Sequence, residues 1–312
     1  MQKFAFVFPG QGSQKLGMLS QLAEQFPTII NTFNEASNIL GKDTWDISQR
    51  DPHNSLDQTQ VTQPILLTAS IAIWRLWQEQ DGPQPALLAG HSLGEYSALV
   101  CAGVLSFEQG LRLVEHRGQF MQDAVPLGVG AMAAIVGLDD EQIRQLCAEV
   151  AGDEVVSAAN FNSPGQTVIA GNQAAVERAM AACKAAGAKR ALPLNVSVPS
   201  HCALMKPAAE RLARELEQVE FKPATIQVVQ NVTAQIVTDP EQIKRNLIAQ
   251  LYSPVLWVDS IRLIQSAGVA KIIECGPGKV LCGLIKRIHG DIAAFGTDDG
   301  ASYEQAKAEV SM

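Results

Sequence analysis

The spacing of apolar and polar residues along the 312-residue chain predicts an alternation of short strands and amphipathic helices. FAFVF (4–8) has no polar break, which suits a strand covered on both faces. After the glycine-rich turn PGQGSQ, Leu19, Leu22, Phe26, Ile29, Ile30 and Phe33 recur at helical spacing, predicting one helix over about 18–40. Residues 51–61 are polar and turn-like. A long helix is predicted from Pro64, taken as a first-turn residue, with Leu67, Ile71, Trp74 and Trp77 on its buried side. ALLAG (86–90) reads as a buried strand, SLGEYSALVCAG as the start of a helix, and 107–122 as another helix.

From Gly130 the order is strand (130–137), helix (139–151), hairpin (154–171, turned by NSPG), helix (172–187) and a closing strand in AKRALPLNVS. Strand–helix–strand–strand–helix–strand is the ferredoxin-like order, so a small inserted domain is expected at 127–197. Residues 1–126 and 198–312 then form the larger domain. Its second part carries predicted helices at 204–218, 240–251 and 254–267, a strand at 226–232, a final strand and turn at 271–278, and a further helix. Past Gly296 the polar tail predicts no element. The fold class is α/β, with a mainly parallel sheet whose ligands belong at the strand carboxyl ends.

Composition narrows the function classes. With 47% hydrophobic and 18% charged residues the chain is globular, and its net charge of −8 argues against a nucleic-acid partner. No apolar run is long enough for a signal peptide or a membrane span, so a cytoplasmic protein without a membrane partner is expected. Six cysteines are scattered without a CxxC pair, which suggests reduced thiols and no metal site.

GHSLG (90–94) fits G-x-S-x-G between a buried strand and a helix, the setting of a nucleophile elbow. Ser92 is then an activated nucleophile or, alternatively, a helix cap. The backbone N–H groups of Gln11, on the other glycine-rich turn, and of Leu93 are the candidate oxyanion hole. GQG lacks a phosphate-loop pattern, so nucleotide binding is unsupported. Of five histidines, His201 in VSVPSHCAL stands on a rim loop and is the candidate base, with a satisfied loop histidine as the alternative. His91 adjoins Ser92, where neighbouring side chains diverge. The adjacent Cys202 is set aside for the same reason. No acidic residue lies near His201 until Glu210, so a backbone carbonyl could orient the ring. Arg117 borders the stripe Phe107, Leu111, Val114, Gly118 and Met121, and a guanidinium there needs an internal salt bridge or a substrate carboxylate.

GHSLGEYSALVCAG and PGQGSQ, with VEHRGQFMQ, NFNSPGQTVIAG, AKRALPLNVSVPSH, QLYSPVLW and ECGPGKVL, resemble the malonyl-CoA:acyl carrier protein transacylases of the stand-alone bacterial type, over essentially the full length. The resemblance implies an α/β-hydrolase-like core with a ferredoxin-like insertion. It also implies ping-pong malonyl transfer through Ser92, with His201 as base and then acid. Coenzyme A is a co-substrate, no cofactor is required, and acyl carrier protein is the partner. Arg117 would pair with the malonyl carboxylate, and the main-chain carbonyl of Gln250 would orient His201. Gln11, Met121, Asn160, Asn162, Ser200 and Asn231 complete the implied substrate-binding set, with a strand-end turn role as the alternative for Asn231. Ser200 stands where malonyl-specific domains of large multienzymes often carry phenylalanine. The resemblance implies an acidic carrier protein, so a basic rim is expected, with Lys189, Arg190, Lys279, Lys286 and Arg287 as candidates and scattered solvated charge as the alternative. The rival functions are a serine hydrolase or thioesterase using water, and a non-catalytic acyl-carrier or coenzyme A binding module.

Overall fold

The computed structural model describes residues 3–126, 128–196 and 198–311. Strand β1 (Phe4–Phe8) lies at the centre of a five-stranded parallel sheet. Strands β2 (Leu87–Gly90) and β8 (Lys271–Glu274) flank it, and β7 (Gln227–Val229) and β9 (Ala293–Gly296) form the edges. The unbroken apolar run of β1 follows from two-sided burial. Phe4, Phe6 and Phe8 point into a core with Trp74 and Trp77, while Ala5 and Val7 face Trp257, Ile261 and Leu281 on the other side.

Between β2 and β7 the chain makes a second, antiparallel sheet in the spatial order β4-β5-β3-β6. Its strands are β3 (Gly130–Val136), β4 (Val156–Ser163), β5 (Gln166–Asn172) and β6 (Arg190–Pro193). Helices α7 (Asp140–Ala151) and α8 (Gln173–Ala185) pack on one face around Ile135, Ile143, Ile169 and Val176. This is the ferredoxin-like arrangement that the element order predicts. Residues 127 and 197, where the insertion is expected to begin and end, lie outside the described residues. The two sheets meet where β4 runs beside Val255, with Phe161 N–H donating to the Val255 carbonyl at 3.0 Å and Val255 N–H to that of Ala159 at 2.9 Å.

Several predicted elements are corrected. The helix expected over 18–40 is two, α1 (Ser20–Gln25) and α2 (Pro27–Leu40), because Phe26 before the proline is extended at φ −129° and ψ 106°. A short helix, α3 (Thr44–Gln49), follows. Helix α4 (Thr59–Glu79) begins five residues ahead of Pro64, which sits inside it on the second turn. Helices α5 (Gly94–Cys101) and α6 (Phe107–Ala124) follow β2. After β6 come α9 (Lys206–Glu217), α10 (Pro240–Gln250), α11 (Trp257–Ser266) and α12 (Val280–Ile288). The polar tail past Gly296, expected to hold no element, carries a last helix, α13 (Gly300–Ser311), whose Tyr303 packs edge-on against Trp77 at 6.0 Å. Among the described residues no helix is long and apolar enough to cross a membrane.

Candidate active site

The turn between β2 and α5 dictates its own sequence. A Cβ on Gly90 would lie 1.8 Å from the Gly94 carbonyl carbon, and one on Gly94 would lie 2.0 Å from the Phe8 carbonyl oxygen. Only glycine lets the helix start this close to the strand, and the tightness forces Ser92 to φ +52°. Asn231, beyond the end of β7, clamps the bend. Its Oδ1 accepts from Ser92 N–H at 2.7 Å, and its Nδ2 donates to the Gly90 carbonyl at 2.6 Å. A left-handed serine held by an asparagine is a constrained elbow, where an ordinary helix cap would adopt extended backbone angles.

His201 is also left-handed, at φ +62°, with its N–H donating to the Leu251 carbonyl at 3.0 Å. Its Nε2 lies 2.8 Å from Ser92 Oγ and its Nδ1 lies 2.7 Å from the Gln250 carbonyl oxygen. A carbonyl only accepts, so the ring proton belongs on Nδ1, leaving Nε2 to accept from the serine hydroxyl. Burial, reinforced by the Arg117 charge, pushes the imidazole down to about 3, so it is neutral at ordinary pH.

Arg117, on α6, is 1% exposed. It donates through Nη1 to Gln63 Oε1 at 2.8 Å, and through Nη2 to Gln250 Oε1 at 2.9 Å and Ser92 Oγ at 3.2 Å. All three acceptors are neutral, and its Nε is buried without a partner. The guanidinium carbon lies 5.6 Å from the centroid of the Tyr96 ring. Burial lowers its pKa, and the neighbouring Tyr96 and Glu95 oppose that fall. The internal salt bridge that the sequence left open is therefore replaced by amides. Gly118 beside it makes room for chain: a Cβ there would lie 2.6 Å from Gln60 Cα on α4.

These groups open on a cleft of about 190 Å³ between the two sheets. Gln11, Leu93, Met121, Asn160, Asn162 and Ser200 line it together with Ser92, Arg117 and His201. The backbone N–H groups of Gln11 and Leu93 have no acceptor within the chain among the described residues. Asn231 is the exception in the substrate-binding set: it lies behind the elbow, buried, and its contacts are those of a clamp. His91 turns away from the serine toward Asn162 Oδ1, 2.8 Å from its Nε2, and packs edge-on against Trp257. Cys202 donates to the Pro199 carbonyl, and burial pushes its thiol up to about 11. The exposed apolar side chains of Leu194, Val196 and Val280 stand at the mouth. Of the expected basic rim, Lys279 is already paired with Asp298 at 3.4 Å and Asp299 at 3.7 Å, and Arg287 donates to Gln166 Oε1. Lys189, Arg190 and Lys286 are exposed.

Two members of this network were not singled out from sequence. Gln63 on α4 is 1% exposed; its signal is a polar residue inside an apolar helical stretch. Glu95 on the first turn of α5 is equally buried, and burial raises its carboxyl to about 7. It directly follows GHSLG, where an acid at a helix start reads as ordinary end electrostatics.

Comparison with known proteins agrees with this geometry. The family model described as the acyl transferase domain matches residues 5–291. Malonyl CoA-acyl carrier protein transacylase of Salmonella typhimurium is 58% identical over 306 residues, covering 98% of this chain and 99% of that protein. Its counterpart in Escherichia coli K12 is 56% identical with the same coverage. A 1.7 Å crystal structure of an acyl carrier protein S-malonyltransferase from Vibrio cholerae superposes with a TM-score of 0.96 at 59% identity, covering 98% of this chain and all of that one. A malonyl-transacylase in complex with its type II PKS acyl-carrier protein superposes at 0.97 with 57% identity, covering 98% and 99% of the two chains. The chain belongs to the acyl transferase family and, within it, to the malonyl-CoA:acyl carrier protein transacylases of the stand-alone bacterial type.

Proposed function

We propose that the protein moves a malonyl group from coenzyme A to the phosphopantetheine thiol of acyl carrier protein, through an ester on Ser92, as a step of fatty-acid biosynthesis. The observation that carries the residue roles is the convergence on Ser92 Oγ of a neutral imidazole at 2.8 Å and a buried guanidinium at 3.2 Å bound only to neutral oxygens.

His201 Nε2 takes the hydroxyl proton as Ser92 Oγ attacks the thioester carbonyl carbon. The N–H groups of Gln11 and Leu93 receive the negative oxygen, each contributing about 3 kcal/mol to the transition state. Imidazolium formation is favoured by the Gln250 carbonyl at Nδ1. The carbon–sulfur bond breaks, the proton passes from Nε2 to the departing sulfur, and malonyl-serine remains. The carrier thiol then gives its proton to Nε2 and attacks the ester, and Ser92 recovers the proton.

Arg117 supplies the preference for an anionic acyl group. Its planar fork suits a two-oxygen anion, which an acetyl group does not offer. Seating the malonyl carboxylate there also offsets the positive charge that depresses His201, so the correct acyl group makes the imidazole a stronger base. Six free cysteines suit a reducing cytoplasm as its compartment.

Radiolabelled malonyl-CoA mixed with the protein is expected to leave label on serine, absent in Ser92→Ala, and the label should leave on adding carrier protein as malonyl-carrier. A wild type that never takes label would sink the acyl-serine route. Label released as free malonate without an acceptor would identify a hydrolase.

A further inference from the structure

We propose that Glu95 is a positioning residue that sets the side-chain amide of Gln250 and, through it, the place of Arg117 against the acyl carboxylate. The proposal rests on the transferase reading above. Glu95 Oε2 accepts from Gln250 Nε2 at 2.8 Å and from Asn231 N–H at 3.1 Å. Gln250 Nε2 also donates to the Ser92 carbonyl at 3.1 Å, while Gln250 Oε1 accepts from Arg117 Nη2 at 2.9 Å. The other oxygen of Glu95, Oε1, is buried and has no partner among the described residues.

An amide can present either its oxygen or its nitrogen to a given neighbour, so something must decide which way Gln250 points. Glu95 Oε2, which also accepts from Asn231 N–H, presents an acceptor whether or not Oε1 carries a proton, and a guanidinium is donor-only. Placed on opposite sides of one amide they admit one orientation: nitrogen to Glu95, oxygen to Arg117. Reversed, the amide would set oxygen against carboxylate and NH2 against guanidinium. Glu95 thereby holds Arg117 Nη2 without touching it, and its second bond reaches the asparagine that clamps Ser92. Helix-end electrostatics does not account for the placement, since a carboxylate buried with one oxygen unpaired disfavours folding. The same residue, Gln250, orients His201 through its main-chain carbonyl. That carbonyl is part of the main chain at the end of α10, so losing the side-chain anchor should disturb Arg117 more than His201.

The test compares Glu95→Met, similar in volume but with no accepting oxygen, Glu95→Gln, which keeps one, and Gln250→Ala, alone and combined with Glu95→Met. Circular dichroism and melting establish folding. kcat and KM are then measured with malonyl-CoA and acetyl-CoA. Glu95→Met is expected to lower the malonyl-over-acetyl preference roughly tenfold, mainly through KM for malonyl-CoA. Glu95→Gln should restore most of it. Gln250→Ala should lower the preference in the same way, and the double variant should add little, as for two links of one chain. Equal losses for the two acyl groups in folded Glu95→Met, no rescue by Gln, or independent losses in the double variant would overturn the positioning role. Were Glu95→Met not to fold, an unchanged preference in Gln250→Ala would overturn it. Malonyl labelling of the wild type separates the two levels: without label both readings fall, and with label only the role of Glu95 is at stake.

Discussion

Two turns leave the carboxyl edge of the parallel sheet, each with a buried glutamate, and they use it in opposite ways. At the end of β8, Glu274 closes on its own segment: Oε1 accepts from Leu281 N–H at 3.1 Å and Oε2 from Cys282 N–H at 2.8 Å. It satisfies the start of α12 and reaches nothing else in the network. After β2, Glu95 spends one oxygen on two distant segments and leaves the other unpaired. Burial raises both carboxyls to about 7. A perturbed acid therefore does not mark chemistry by itself; the segments it joins do.

Arg117→Ala removes the cation on which the elbow's network ends, and it should have the largest effect. Malonyl transfer is expected to fall by about 3 kcal/mol in kcat/KM, with acetyl transfer much less affected. Steady-state kinetics with both thioesters decide it, and equal losses would make the arginine structural.

Glu274→Gln tests the other turn. Folding raises its pKa from the ordinary 4.5 to about 7, so the folded state holds the proton more tightly. The stability contributed is full below about 4.5 and is lost as pH rises through about 7. Glutamine has no such loss, so the variant should gain on the wild type across that window by at most about 3 kcal/mol and run parallel above it. The difference between the two proteins must be followed by denaturant unfolding, because His201, depressed to about 3, changes wild-type stability in the opposite sense. Malonyl preference should not move. A pH-independent difference would show that the two glutamates are not alike.

The smallest effect is expected on the outer face of α12. Reversing Lys286 and Arg287 to glutamate should raise KM for carrier protein about threefold, as for exposed charges steering an acidic partner, with malonyl-serine formation unaltered. An unchanged KM would remove both from the docking surface.

Much of this architecture was legible because period and context coincide. The βαββαβ order, the unbroken β1 run and the strand–turn–helix around Ser92 each carry a local signature. The breaks were less legible. Phe26 and Pro27 split a helix whose apolar period continues across them, and Pro64 sits inside a helix that tertiary packing extends backwards. The tail after Gly296 hides its buried face in Tyr303, Ala306 and Val310, a stripe too thin to stand out among polar neighbours. Ser92, His201 and Arg117 could be named from sequence because a serine between two glycines on a tight turn, a histidine on a rim loop and a cation on an apolar stripe are each uncommon in their settings. Gln63 and Glu95 could not, because their meaning lies wholly in what they touch.

What the chain determined alone was the alternation of elements, the glycines that permit the elbow, and the residue types for acyl transfer. Only the tertiary structure decided which way the histidine proton points, that Arg117 meets two amides and the Ser92 hydroxyl and, among the described residues, pairs with no carboxylate, and that Gln250 binds His201 and Arg117 at once. The reason is physical. Periodicity and turn chemistry act between neighbours a few residues apart, whereas hydrogen bonds from 92 to 201, 117 to 250 and 95 to 231 exist only after the sheet edge has gathered those segments.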